Sequence, residues 1–155
     1  MSEQIWELAD EAATEALAAR LAAALSESAD GLVIYLHGEL GAGKTSFARA
    51  LLRALGVAER IKSPTYSLVE SYRMQGRVAW HLDLYRIADP GELEWLGLDA
   101  LSDPAALVLV EWPERGIGAL PAADLQLDLS YAGSGRQATW QGHSARGQWI
   151  LTKLR

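Results

Sequence analysis

The sequence predicts an α/β fold in which a mixed β-sheet is flanked by helices, and three observations carry that prediction. Leu32 to Leu36 is a short apolar run of buried-strand type. A glycine-rich turn follows it, then Phe47, Ala48, Leu51, Leu52 and Leu55 at helical spacing. A second apolar run, Leu107 to Val110, stops at the acid Glu111. The last third changes period: Leu125, Leu127, Leu129 and Tyr131 alternate with polar residues, the pattern of an antiparallel meander with one face on a core.

The elements follow in chain order. Ile5 to Leu8 predicts a short strand. Asp10 is placed to cap a helix reaching about Leu25, with Leu17, Leu21 and Leu25 on one face and many alanines favouring helix and close packing. Ser26 to Gly31 is a loop. The strand–turn–helix unit fills Leu32 to Leu55, and Gly56 supplies the stop. A polar linker leads to Ser63-Pro64-Thr65. Leu68 to Arg73 and Arg77 to Asp83 predict two strands joined at Met74-Gln75-Gly76. Asp89-Pro90-Gly91-Glu92 is a helix start, with Asp89 as cap, Pro90 in first position and Glu92 closing a capping box; the helix runs to about Trp95. Beyond the second apolar run, the C-terminal antiparallel meander takes Leu125 to Tyr131 and a turn at Gly133-Ser134-Gly135. Arg136 to Gln141 and Trp149 to Lys153 then complete it as extended segments.

Composition bounds the function. At 155 residues the chain fits one domain, 1–155, and 50% of it is hydrophobic, enough for a core. No apolar run approaches the ~18 residues of a membrane helix, and Met1-Ser2-Glu3-Gln4 lacks the basic stretch of a secretory signal. Without cysteine there is no disulfide framework, thiolate zinc site or cysteine nucleophile, and a cytoplasmic location is the default. The net charge is −6 and the 14 Lys and Arg residues are scattered, which argues against autonomous nucleic-acid binding. A role on a nucleic acid is expected to run through a protein partner.

Gly38, Gly43, Lys44 and Thr45 fit G-x-x-x-x-G-K-[ST], the phosphate-binding P-loop, so the expected fold is P-loop NTPase-like. Each residue type has a physical reason. Glycines let the backbone turn through positive φ and come close to a phosphate. Successive N–H groups then form an anion-binding nest, and the helix N-terminus behind it adds about half a positive charge. Lys44 can neutralise the β- and γ-phosphates, and the Thr45 hydroxyl can ligate Mg²⁺. The candidate nucleotide-phosphate site is therefore Gly38-Glu39-Leu40-Gly41-Ala42-Gly43-Lys44-Thr45, with Ser46 next in the helix.

In P-loop enzymes a carboxylate ending a second apolar strand helps to hold Mg²⁺. Two residues fit, Glu111 after Val110 and Asp83 after Leu82. Strand alternation puts Val78, Trp80 and Leu82 on one side and His81 with Asp83 on the other. His81 is read as a structural histidine. Thr65 lies where switch loops reach toward a γ-phosphate, with a plain Ser-Pro turn as the other reading. Trp112 is open between core packing and contact with a nucleotide or partner.

Four motifs taken together resemble the bacterial TsaE (YjeE-type) family, the small P-loop ATPases of tRNA threonylcarbamoyladenosine biosynthesis. They are Gly38-Glu39-Leu40-Gly41-Ala42-Gly43-Lys44-Thr45, Ser63-Pro64-Thr65-Tyr66, His81-Leu82-Asp83-Leu84-Tyr85-Arg86 and Val110-Glu111-Trp112-Pro113, and they cover about residues 30 to 116. The resemblance implies that Thr45 and Glu111 ligate Mg²⁺, that Asp83 is needed for hydrolysis with Lys44, and that the loop at Thr65 is switch-like. It implies that Glu11 and the Gly135-Arg136 turn approach the nucleotide. It further implies an ATPase, binding ATP and ADP, that acts with the TsaD and TsaB proteins in threonylcarbamoyl transfer to adenosine 37 of tRNA. A small-molecule P-loop kinase is the alternative, although Pro113-Glu114-Arg115-Gly116, the candidate lid, carries one arginine. A GTPase is excluded, because its guanine-reading Asn-Lys-x-Asp needs an asparagine and the chain has none.

Overall fold

The computed structural model describes residues 3–74 and 76–155. Met1, Ser2 and Gln75, the middle of the expected turn, lie outside the described residues. Among them, one mixed sheet holds β1 (Glu3–Leu8), β2 (Leu32–His37), β3 (Val69–Met74), β4 (Arg77–Asp83), β5 (Leu107–Glu111), β6 (Leu125–Ala132) and β7 (Gly135–Gly142). The strand order is β1-β7-β6-β2-β5-β4-β3. The central strands β6, β2, β5 and β4 are parallel to one another. The outer strands β1, β7 and β3 pair antiparallel.

The apolar runs in β2 and β5 follow from burial on both faces. Leu32, Ile34 and Leu36 of β2, with Leu107 and Leu109 of β5, pack under α1 (Glu11–Leu25), α2 (Lys44–Ala54) and α3 (Ala145–Leu154). Val33, Tyr35, Val108 and Val110 point to the other side, into a cluster with Leu84, Ile87, Leu93 and Leu101. No α-helix covers that second face among the described residues. Loops and short 3-10 turns at Pro90–Leu96, Leu98–Ser102 and Pro113–Gly116 do so instead. Further out, β6 buries Leu125, Leu127 and Leu129 under the helices, while Gln126 and Asp128 on its other face hydrogen-bond each other at 3.0 Å. That half-solvated face is the source of the alternation in the sequence.

The helix starts differ in a way that bears on function. Asp10 caps α1 by accepting from the Ala13 N–H at 2.9 Å. At α2 the cap is Gly43, with φ 110° and no side-chain hydrogen bond, so the first-turn N–H groups are left without a side-chain acceptor.

Three expectations are corrected. Trp149 to Lys153 is not extended: it lies inside α3, capped by Ser144, whose Oγ accepts from the Gly147 N–H at 3.0 Å. Gly147, Ile150, Leu151 and Leu154 are its buried face, a helical period that the apolar run Trp149-Ile150-Leu151 disguises. The third strand beside β7 is β1 instead, in register from Glu3 opposite Gln141 to Leu8 opposite Arg136. Leu68 does not belong to β3; it sits before the strand with φ 69°. The segment after Asp89 has its capping box, with Glu92 Oε2 accepting from the Ala88 and Asp89 N–H groups, but it coils as a 3-10 turn reaching Leu96 rather than an α-helix ending at Trp95.

Candidate functional site

The site is assembled where the parallel strands end. Register places Leu36 of β2 opposite Glu111 of β5, and Glu111 opposite Asp83 of β4. These three therefore share one row and one face, the face that carries α2. Glu111 and Asp83 are buried side by side at the C-terminal edge of the sheet, 2% and 6% exposed. The loop leaving β2 turns back over this edge and enters α2 at Lys44. It can do so because Gly43 takes the left-handed cap conformation. A Cβ at Gly38 would lie 2.6 Å from the Leu129 carbonyl oxygen, so a larger residue there would push the loop off β6.

The Thr45 hydroxyl donates to both Glu111 oxygens, at 2.9 and 3.0 Å. Lys44 is buried, and its ammonium donates to the carbonyls of Gly38 and Glu39 and lies 4.2 Å from the Trp112 ring centroid. Burial lowers the Lys44 pKa, against the opposing pull of Glu111, Asp83 and Glu114. Burial raises the Asp83 pKa and the charge of Glu111 adds to the rise; the Tyr85 N–H, His81 and Lys44 act the other way. That N–H reaches Asp83 Oδ1 at 3.0 Å.

Two cavities flank the P-loop, and Gly41, Gly43 and Ser46 line both. One, of about 220 Å³, is lined by Leu40, Lys44, Thr45, Thr65, Asp83, Glu111 and Trp112. The other, of about 340 Å³, holds Glu11, Thr14 and Ala42 with the Gly135-Arg136 turn. The sequence-predicted residues are thus brought together with few exceptions. Gly38 contributes a carbonyl to Lys44 rather than a cavity wall, and Glu39 does the same while its side chain is exposed. Arg136 is engaged with the loop itself: it donates to the Gly41 carbonyl at 3.2 Å and stacks on Tyr131 at 4.3 Å.

Thr65 belongs to a loop tied to the acid. The Leu68 N–H bonds the Pro64 carbonyl at 2.8 Å, and the Asp83 N–H bonds the Leu68 carbonyl at 3.0 Å. Leu68, a bulky residue at positive φ, is the strained joint between them. Trp112 is also at positive φ, 57°, and packs on Tyr85 with ring centroids 4.9 Å apart; it serves the second core cluster and the cavity wall together.

Sequence reasoning missed one residue that holds the P-loop, and a second residue touches Glu111. Tyr131, whose hydroxyl donates to the Leu40 carbonyl at 3.0 Å, holds the outer arc of the P-loop. Its place in the Leu125–Tyr131 alternation was the available signal. His81, read as structural, has Nε2 2.6 Å from Glu111 Oε2.

The donor set suits a hard divalent ion. A hydroxyl oxygen and carboxylate oxygens are the ligands Mg²⁺ prefers, and it is commonly held by one or two carboxylates with phosphate and water. No group of three or more His, Cys, Asp or Glu could hold a metal by itself among the described residues. An ion here would need oxygens from a ligand.

With this geometry in place, comparison with known proteins is specific. The family profile described as "Threonylcarbamoyl adenosine biosynthesis protein TsaE" matches residues 8–138. The tRNA threonylcarbamoyladenosine biosynthesis protein TsaE of Haemophilus influenzae is 44% identical over 121 residues, 78% of this chain and 77% of that protein. The protein of the same description from Bacillus subtilis is 32% identical over 155 residues, covering 99% and 95%. The crystal structure of Bacillus subtilis YdiB superimposes with a TM-score of 0.81 at 28% identity, over 99% of this chain and 94% of that one.

Proposed function

This chain belongs to the TsaE family of tRNA threonylcarbamoyladenosine biosynthesis, and from that membership we propose that it is a Mg²⁺-dependent, slow ATPase. It supports threonylcarbamoyl transfer to adenosine 37 of tRNA together with TsaD and TsaB. The single observation that carries this reading is the Thr45–Glu111 contact beside Asp83, in front of a helix N-terminus that no side chain caps.

The roles follow from the chemistry. The triphosphate would lie along the P-loop and take N–H groups at the start of α2, with the nucleoside in the cavity of Glu11 and Arg136 and the γ-phosphate in that of Asp83. Lys44 leaves its neutral carbonyl acceptors for the β- and γ-phosphates, a stronger charge-assisted contact. Thr45 and Glu111 would hold Mg²⁺, which would supply positive charge against the charge that develops on transfer. Asp83, with its raised pKa, orients the attacking water and takes its proton. Among the described residues no arginine lines this cavity; Arg115 stacks on Tyr85 and Trp112. A site lacking that charge turns over slowly.

The 155 residues act as one ATPase domain, in the cytoplasm where the tRNA is modified. No helix among the described residues is long and apolar enough to cross a membrane. The test is phosphate release by the purified chain, alone and with TsaD and TsaB. Alone it should fall far below the enzyme median of about 10 per second, and the two proteins should raise it. Asp83→Ala should still bind ATP and join the complex without turning over. Fast hydrolysis indifferent to both proteins, or a stoichiometric phosphorylated acceptor, would put the kinase reading in its place.

A further inference from the structure

His81 is wholly buried on β4. Register sets it opposite Leu109, so it is the diagonal same-face neighbour of Glu111. Its two ring nitrogens have opposite fates. Nε2 lies 2.6 Å from Glu111 Oε2, whereas Nδ1 has no hydrogen-bond partner among the described residues. A buried polar atom without a partner destabilises a fold, so the ring is a poor choice for packing alone. Among the described residues the one hydrogen bond of its ring is with Glu111.

The direction of that contact is fixed by chemistry. An ionised carboxylate only accepts, so the proton sits on Nε2 and His81 donates. Glu111 Oε2 then takes one donor from the neighbouring strand and one from α2, where Thr45 reaches it at 3.0 Å. The two donors are not equivalent. Thr45 is a candidate metal ligand, and its hydroxyl must reorient if its oxygen takes up an ion. His81 lies in the closed interior, and among the described residues its ring has no other hydrogen bond. We infer that His81 is a positioning residue: its Nε2–H fixes the plane of the Glu111 carboxylate so that the acid presents an oxygen to the divalent cation. Outer-shell donors of this kind change metal affinity by about 10- to 100-fold when removed. The inference rests on the reading of Glu111 as the Mg²⁺-side acid.

The experiment compares the wild-type chain with His81→Leu, which keeps volume and removes the donor, and His81→Gln, which keeps an N–H near the Nε2 position. Binding of a non-hydrolysable ATP analogue is followed by calorimetry across Mg²⁺ concentrations, and ADP binding is followed in EDTA. Expected for His81→Leu is a roughly 10- to 100-fold higher Mg²⁺ requirement with metal-free ADP binding unchanged, and for His81→Gln recovery of most of the Mg²⁺ response. Loss of metal-free ADP binding in step with the Mg²⁺ response in both variants would show a structural residue and overturn the inference. So would a His81→Leu protein with the wild-type Mg²⁺ response. A wild-type chain that binds the analogue equally with and without Mg²⁺ would overturn the metal reading of Glu111 itself, and the inference with it. Nitrogen-15 NMR of the intact wild-type chain gives a check that needs no variant. A ring protonated on Nε2 is expected, and a ring protonated on Nδ1 alone would overturn the assignment.

Discussion

Lys44 and Asp83 are both held in the buried site against their electrostatic preference. The Lys44 ammonium has two carbonyls and an indole face in place of water. A triphosphate offers it a better acceptor, so Lys44→Ala should weaken ATP binding by about 1.5–3 kcal/mol, roughly 10- to 100-fold. Thr45→Ala should weaken only the part of binding that needs Mg²⁺. Calorimetry with and without Mg²⁺ separates the two, and unchanged Mg-ATP affinity in Lys44→Ala would remove the site assignment. Asp83 carries a stability consequence. Its folded pKa lies above its unfolded value, chiefly through burial. The folded state therefore favours the protonated acid. The penalty is absent below the unfolded carboxylate pKa and present in full once the pH has risen through the folded one. Asp83→Asn removes the charge and keeps an oxygen for the Tyr85 N–H. It should raise the Tm of the nucleotide-free protein at neutral pH, with a gain that shrinks as the pH falls into the carboxylate range, while turnover is lost. A lower Tm at neutral pH would mean that the ionised form is not penalised.

At the scale of elements, what was legible in the sequence is what local physics decides. β2 and β5 are buried on both faces and read as unbroken apolar runs; β6 faces solvent on one side and reads as alternation. The P-loop, Glu111 and Asp83 were legible because strand–turn–helix chemistry ties them to fixed positions. The clamp of Tyr131 and Arg136 on the P-loop was not, because it joins carbonyls and side chains about 90 residues apart through a sheet order no local pattern records. α3 was misread for a related reason. Its sequence holds a glycine and the strand-like run Trp149-Ile150-Leu151, and propensity alone disfavours it. Tertiary contact sets it instead: Ser144 caps the helix and donates to Asp124 Oδ1 at 2.6 Å, and Asp124 Oδ2 accepts from the Val33 N–H at 2.9 Å. Gly147 is required by that approach, since a Cβ there would lie 1.9 Å from the Asp124 carbonyl oxygen. Glycine to alanine inside a helix ordinarily stabilises by about 1 kcal/mol. Gly147→Ala should instead cost about 1–3 kcal/mol by overpacking, read as a lower urea midpoint at constant m. A neutral or stabilising result would show that α3 can shift away from Asp124.

Across the whole molecule, charge decides what the chain can touch unaided. Its net charge is −6, and several of its arginines are committed to its own carbonyls. Arg77 and Arg146 both donate to Asp30 O, Arg53 to Val57 O and Glu59 O, and Arg136 to Gly41 O. Others stack on aromatic rings, Arg86 on Tyr66 and Arg115 on Tyr85. Among the described residues a polyanion finds no continuous cationic stripe, and nucleic-acid affinity comes mainly from such a stripe through counterion release. The anion site proposed here, the P-loop with its uncapped helix start and buried Lys44, suits a terminal phosphate chain better than a duplex backbone. The chain should therefore show no salt-sensitive association with tRNA on its own, by fluorescence anisotropy in about 0.15 M salt, where the Debye length is about 8 Å. If the proposed partnership holds, association should appear when TsaD and TsaB are added with Mg-ATP. Binding of tRNA by the isolated chain that weakens steeply with added salt would contradict this, and would mean that tRNA reaches this chain directly.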